Sequence, residues 1–392
     1  MTDRPSFYEF FAGGGMARAG LGAGWDCLFA NDFSPMKAET YRANWGDADL
    51  ACGDVAHLAA ANLPGTADLA WASFPCQDLS LAGNGKGLGC ATPETTTRSG
   101  AFWPFWQLVR RLAHDHRAPR LIVLENVPGV LTSHKGADFA ALCAALAQAG
   151  YCFGAIAIDA RLFVPQSRQR VFFVAVRRDH PVPAWLLAQG PHSQWHPPAL
   201  VRGRSRLPDD IKKQWLWWNM PLPSPRHSIL ADLLEEHPAS VLWHSPSQTG
   251  YLLGLMSPAN LAKVECAKKA GTIKVGCIYR RTRPDASGQR QQRAEARFDG
   301  LAGCLRTPGG GSSRQTIMVV RGQNIRTRLL SAREAARLMG MDESYRLPPR
   351  YNDAYHVAGD GVCVPVVRYL AQHVLEPVLA ASGVTSRLVA AE

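Results

Sequence analysis

Apolar runs and polar breaks alternate regularly along the first 180 residues. Phe7-Tyr8-Glu9-Phe10-Phe11 is a compact aromatic strand. Ala12-Gly13-Gly14-Gly15 breaks it, and Met16 to Leu21 follows with helical character. Cys27-Leu28-Phe29-Ala30 reads as a second strand ending at Asn31-Asp32, and Gly53-Asp54-Val55 marks a third strand exit. A fourth apolar run, Asp68-Leu69-Ala70-Trp71-Ala72, leads into Ser73-Phe74-Pro75-Cys76-Gln77-Asp78-Leu79-Ser80. Leu121-Ile122-Val123-Leu124 is apolar without alternation, as in a central parallel strand buried on both faces, and it delivers Glu125 to the sheet edge. Helical patterns over 101–112 and 138–148, then strands over 153–158 and 171–176, complete a strand–turn–helix series. Such a series predicts a doubly wound α/β fold, which places its chemistry at the carboxyl ends of its strands.

The texture changes near residue 181. Prolines cluster, and aromatic residues interleave with basic ones in Lys212-Lys213-Gln214-Trp215-Leu216-Trp217-Trp218. Secondary structure is mostly unreadable from there to Leu305-Arg306-Thr307-Pro308-Gly309-Gly310-Gly311-Ser312-Ser313-Arg314-Gln315, which is either a loop or a phosphate-binding turn. Globular texture returns at Ser331-Ala332-Arg333-Glu334, a capping box that opens a helix through Leu338. Val357-Ala358-Gly359-Asp360-Gly361-Val362 then precedes a helix over 365–379. The pattern therefore predicts one domain from 1–180 plus 331–392, interrupted by a second over 181–330.

Charge sharpens that division. The 392 residues carry a formal charge of +11, and 181–330 holds 21 Lys and Arg against 9 Asp and Glu. The rest is close to neutral. A basic module on a neutral body is the electrostatic footprint of nucleic-acid binding. The ten cysteines include no Cys-x-x-Cys pair, which argues against a zinc site. Met1 to Pro5 lacks the layout of a signal peptide, and no apolar run reaches membrane-spanning length, so a soluble cytoplasmic protein is expected.

The residues at the strand exits each have a plain reading and a chemical one. Cys76 is either a buried thiol or a nucleophile on a turn followed by a mobile glycine-rich loop, Gly83-Asn84-Gly85-Lys86-Gly87-Leu88-Gly89. Asp32 is either a helix cap or an acceptor for ribose hydroxyls, and Asp54 either a cap or a second carboxylate at a strand exit, the series of turns suiting an adenosine-type cofactor. Glu125 is either a salt-bridge partner or a functional carboxylate. The arginines of Pro165-Gln166-Ser167-Arg168-Gln169-Arg170 are either structural or donors to a substrate oxygen. The Gly13–Gly15 turn departs from the dinucleotide fingerprint, with Arg18 where its last glycine would stand.

Taken in order, Phe11-Ala12-Gly13-Gly14-Gly15, Pro75-Cys76-Gln77, Glu125-Asn126-Val127, Gln166-Ser167-Arg168-Gln169-Arg170, Arg333-Glu334-Ala335-Ala336-Arg337-Leu338 and Gly359-Asp360-Gly361-Val362 resemble the motif series of the DNA (cytosine-5) methyltransferases. The resemblance implies a Rossmann-like catalytic domain that uses S-adenosyl-L-methionine, with a target-recognition domain at 181–330 that binds double-stranded DNA. It implies Cys76 as the nucleophile at carbon 6 of a flipped-out cytosine, with the glycine-rich loop closing over that base. Glu125 would face ring nitrogen 3 and the exocyclic amine, and Arg168 or Arg170 the carbonyl oxygen at position 2. Around the cofactor it places Phe11, Gly13, Gly15, Asp32 on the ribose, Phe33 on the adenine face, Asp54 on the adenine amine, and Asp360, Gly361 and Val362. Two positions depart from the family pattern: Met16 replaces a glycine and Asp360 an asparagine. A monomer paired with a separately encoded restriction endonuclease is the implied setting. A tRNA cytosine-5 methyltransferase shares the cofactor and the thiol. A dinucleotide-dependent oxidoreductase accounts only for the first turn, and a catalytically inactive DNA-binding module would leave Cys76, Glu125 and Arg170 without a joint role.

Overall fold

A computed structural model describes residues 4–76, 78–79, 87–89, 98–284, 288–306 and 314–381. Backbone contacts divide the chain into two units. The first comprises 1–158, 169–222 and 366–392, and the second 159–168 and 223–365. These bounds differ from the sequence-based ones in three places: 181–222 packs with the first unit, and 159–168 and 331–365 with the second.

The first unit is built on a seven-stranded sheet. Its strands are β1 (Ser6–Phe10), β2 (Asp26–Asp32), β3 (Leu50–Cys52), β4 (Leu69–Ala72), β5 (Leu121–Asn126), β6 (Tyr151–Asp159) and β7 (Gln169–Arg177), in the order β3-β2-β1-β4-β5-β7-β6. β1, β2, β3, β4 and β5 run parallel, and β7 pairs antiparallel with β5. The sheet is thus mixed, mostly parallel with an antiparallel β7, and fits the doubly wound α/β fold that the sequence predicts. The strand order reverses direction between β1 and β4, the crevice in which α/β folds bind ligands. Every residue of β5 is buried, as its unbroken apolar run requires.

Around the sheet lie α1 (Met16–Leu21), α2 (Pro35–Trp45), α3 (Phe102–His114), α4 (Ala137–Gln148), α5 (Pro198–Ser205) and α6 (Asp209–Lys212). α3 buries Phe102, Phe105, Trp106, Val109 and Leu112, a helical spacing that turns one apolar stripe to the core. α2 starts at a Ser34 cap with Pro35 in its first turn and stops at Gly46.

The segment 181–222 explains its own place. Gln214 O accepts from Phe153 N at 2.9 Å, Leu216 N donates to Phe153 O at 2.7 Å, and Trp195, Trp215 and Trp218 are buried. A Cβ on Gly154 would lie 2.0 Å from Leu216 O, so only glycine admits this approach. Of the tryptophans that follow Lys213, Trp215 and Trp218 are core residues of the first unit and Trp217 is partly buried against it.

The second unit holds a four-stranded sheet of β8 (Lys274–Pro284), β9 (Arg290–Arg297), β10 (Thr316–Arg321) and β11 (Asn324–Leu329), ordered β11-β10-β8-β9. Its core joins Ile278, Ala294, Ala296, Met318 and Val320 to residues of α7 (Pro246–Gly254) and α8 (Pro258–Lys269). α9 (Ala332–Leu338) and α10 (Tyr351–Asp360) also belong to it. The run Tyr351–Ala381 has the length and hydropathy of a membrane-crossing helix, although no such run was expected. It breaks after Asp360 and resumes as α11 (Val364–Leu370), and half of its most apolar window is buried inside the protein.

Candidate active site

The first unit gathers its chemistry at the carboxyl ends of β1 to β5. β1 exits through Phe11, which is non-glycine yet holds a φ of 57°, and the turn continues through Gly13 at 58° and Gly15 at 78°. Positive φ at a phenylalanine is strain that marks a functional turn. A Cβ on Gly15 would meet Trp45 Nε1 at 2.3 Å, and Trp45 Nε1 itself donates to Gly14 O at 3.0 Å. The tryptophan therefore supports the turn from beneath. In front of Gly13 a Cβ would find nothing within 4 Å, which leaves open space at the backbone.

Asp32 ends β2. Its Oδ2 accepts from Gly13 N and its Oδ1 from Ser34 N, each at 2.8 Å, so it links the glycine turn to the start of α2. Phe33 beside it is 72% exposed, an aromatic face turned to solvent. Asn31 Nδ2 donates to Ala51 O and Gly53 O at 2.9 Å and ties the end of β2 to the exit of β3. There Asp54 is exposed and caps a short 3₁₀ turn through Ala56 N at 2.9 Å. The plain cap reading of Asp54 holds, and one carboxylate oxygen has no part in it.

Beneath the turn, Glu9 is buried. Its Oε1 accepts from Ala17 N at 3.2 Å and Arg18 N at 3.4 Å, while Oε2 has no hydrogen-bond partner among the described residues. Burial pushes this carboxyl up to about 8, against the pull of the Arg18 and Ala17 amides and the Arg18 charge. The sequence pattern assigned Glu9 no role, because it sits inside an aromatic strand without alternation.

Cys76 lies just past β4, half-buried. Leu79 N donates to Cys76 O at 3.1 Å and closes a turn there. Asn126 Nδ2, at the end of the neighbouring β5, donates to Phe74 O at 3.2 Å, so the strand that carries Glu125 also holds the cysteine turn. Three other cysteines are kept as thiols by burial: Cys27 and Cys277 are each pushed up to about 12, and Cys143 well above the ordinary thiol value.

Glu125 is buried and pairs with Arg170 at 3.1 Å, Oε1 to Nε. The antiparallel β7 makes this possible: Glu125 stands opposite Phe172, so the first residues of β7 come to the carboxyl edge of β5. Arg168 goes elsewhere. It belongs to the second unit, where it is 2% exposed and donates to Leu305 O at 3.1 Å, Gly359 O at 3.0 Å and Gly361 O at 2.7 Å. Of the two candidate arginines, Arg170 meets Glu125 and Arg168 clamps three backbone carbonyls. Asp360 is exposed at the end of α10 and Val362 is buried, both in the second unit with Gly361.

Of the glycine-rich loop, residues 80–86 lie outside the described residues, as do Gln77 and residues 307–313 of the later glycine stretch. The described end of the loop is anchored. Leu88 N donates to Asp138 Oδ1 at 3.2 Å, and a Cβ on Gly87 would lie 2.1 Å from the His134 ring. Asp78 N donates to Ser99 Oγ and Ser99 N returns to Asp78 Oδ2, both at 3.2 Å.

A family model described as C-5 cytosine-specific DNA methylase matches residues 6–376. The Type II methyltransferase M.NlaX of Neisseria lactamica is 26% identical over 368 residues, 93% of this chain and 94% of that protein. The Type II methyltransferase M.HhaI of Haemophilus parahaemolyticus is 25% identical over 370 residues, 94% of this chain and 93% of that protein. Among solved structures, the S. pombe Dnmt2 methyltransferase matches with a TM-score of 0.57 at 19% identity, over 95% of this chain and 99% of that one. At that identity the likeness speaks for the fold.

Proposed function

This chain belongs to the C-5 cytosine-specific DNA methylase family, and on that premise we propose that it transfers a methyl group from S-adenosylmethionine to carbon 5 of a cytosine in a specific duplex sequence, through a covalent Cys76 adduct. The observation that carries this reading is the grouping at one sheet edge of a cysteine turn held by Asn126 and a buried Glu125–Arg170 pair.

The cofactor reading is supported by the open space before Gly13, the strained Phe11 turn, the exposed Phe33 ring and the Asp32 and Asp54 carboxylates. Phe11, Gly13 and Gly15 would line the methionine side, Asp32 the ribose and Phe33 and Asp54 the adenine. Asp360, Gly361 and Val362 are assigned to the same site by resemblance. When bound, the cofactor supplies an electrophilic methyl group.

Carbon 5 of cytosine is a weak nucleophile. The Cys76 thiolate adds to carbon 6 and makes the ring an enamine, whose carbon 5 would take the methyl group as its bond to the cofactor sulfonium breaks and S-adenosylhomocysteine leaves as the thioether. Glu125 holds ring nitrogen 3 in its protonated form and accepts from the amine. Arg170, already aligned by Glu125, donates to the oxygen at position 2. Loss of the carbon 5 proton and cleavage of the carbon–sulfur bond return Cys76. The base must leave the stack to reach these groups, as methyltransferases require.

Covalent trapping tests the reading. With S-adenosylmethionine and duplex DNA containing 5-fluorocytosine, the fluorine at carbon 5 blocks elimination. A denaturant-resistant adduct is expected, and it is lost in Cys76→Ala. An adduct on tRNA alone would move the substrate to RNA, and an adduct on neither would refute the covalent mechanism.

A further inference from the structure

The register of the second sheet leaves part of one hairpin outside it. β10 pairs with β8 only from Lys274 to Ile278, whereas β9 pairs with β8 from Cys277 out to Pro284. Six residue pairs, Tyr279 with Glu295 through Pro284 with Arg290, continue past the end of β10; Ala294 N still donates to Leu255 O at 3.0 Å, and among the described residues the four pairs from Arg281–Arg293 outward form a two-stranded ribbon, ~14 Å long at the usual strand rise. Beyond Tyr279 and Glu295, Ala294 is buried, while Arg280, Arg281, Thr282, Arg290, Gln291, Gln292 and Arg293 are all exposed.

The ribbon carries more cationic than anionic side chains. Arg281 stands directly opposite Arg293, so two like charges share one face at the closest cross-strand position. Such pairs are destabilising. Glu295 offsets one of them at 3.7 Å from Arg281, and the Arg281 guanidinium also lies 4.9 Å from the Tyr279 ring centre. Gln291, two residues along β9, lies on the same face, while Arg280 and Arg290 lie on the other. A narrow ribbon with a surplus of positive charge suits a polyanion. A two-stranded ribbon fits the major groove of duplex DNA, where arginine pairs with guanine and glutamine with adenine.

We propose that the β8–β9 ribbon enters the major groove, with Arg281, Arg293 and Gln291 contacting base edges and Arg280 and Arg290 contacting phosphates. This rests on the reading of the chain as a DNA methyltransferase and names the part of the second unit that selects the site.

The test compares Arg281→Ala, Arg293→Lys and Arg280→Gln with the unaltered protein. Methylated sites are sequenced from a pool of randomised duplexes, and binding to one methylated-site duplex is titrated at several salt concentrations. Arg293→Lys keeps the charge and loses the planar fork, so it should relax preference by about tenfold at one base position, as should Arg281→Ala. Arg280→Gln should keep the preference and lower the salt slope by about one. Folding controls are simple, since all three side chains are exposed and thermal midpoints should hold or rise. Unchanged site preference in Arg281→Ala and Arg293→Lys, with duplex methylation intact, would overturn the ribbon assignment and leave the function standing. Failure of the unaltered protein to methylate any duplex would remove both.

Discussion

Glu9 shows what a single buried group does to this protein. Its carboxyl is pushed up to about 8 from an ordinary 4.5, so the folded chain keeps a proton that the unfolded chain gives up near 4.5. The folded state thus binds more protons over that window. Its stabilising contribution is complete below about pH 4.5 and is lost as pH rises to about 8, by ~1.4 kcal/mol for each unit. Glu9→Gln should flatten the pH dependence of the unfolding free energy between those limits, measured by denaturant titration at a series of pH values. An unaltered slope would place the buried proton elsewhere. The sequence showed the turn above Glu9 plainly, because glycines and strand ends are local signals. It did not show Glu9, Trp45 or Asn126, whose roles come from residues far along the chain. Nor did it separate Arg168 from Arg170, since two residues of spacing say nothing of which strand lies opposite.

At the scale of elements, α9 was legible from its capping box and is secured by more than that box. Ser331 Oγ accepts from Glu334 N at 3.0 Å, and Glu334 Oε2 accepts from Ser331 N at 2.8 Å. Glu334 also receives Arg328 of β11 in a two-pronged pair at 2.6 and 2.8 Å, and Glu235 N at 2.8 Å. Both side chains of the pair are almost fully buried. Glu334→Ala would leave Arg328 charged in the interior and should cost about 3–5 kcal/mol, read as a fall in thermal midpoint. Replacing both partners together, Arg328→Met with Glu334→Leu, should recover much of that loss. A small effect of Glu334→Ala would show that water reaches the arginine. The partner strand was illegible because the helix signal is local and Arg328 lies in a β-hairpin whose pairing is set at long range. The antiparallel β7 was missed for the same reason: its apolar run has the same pattern in either direction.

At the scale of the molecule, the two-part plan was legible from charge and its borders were not. The second unit as folded holds 22 Lys and Arg against 13 Asp and Glu, so the surplus survives the shift of borders. Duplex affinity should fall with a slope of about −4 or steeper in log salt, corresponding to roughly five phosphates neutralised. Titration between low and moderate salt reads it, and a flat response would mean that the surplus does not face the nucleic acid. Proline and tryptophan content blurred the first border, since Trp215 and Trp218 look like a binding surface until Gly154 is seen to admit Leu216. That contact has a consequence for the exchange of specificity between relatives. A recombination joint at residue 181 would carry off three tryptophans on which the host sheet depends, and the hybrid would inherit a catalytic half with its core removed. A joint between Leu222 and Pro223 keeps the tryptophans with their glycine. In lineages that trade recognition segments, crossovers should collect at the second place and be purged at the first.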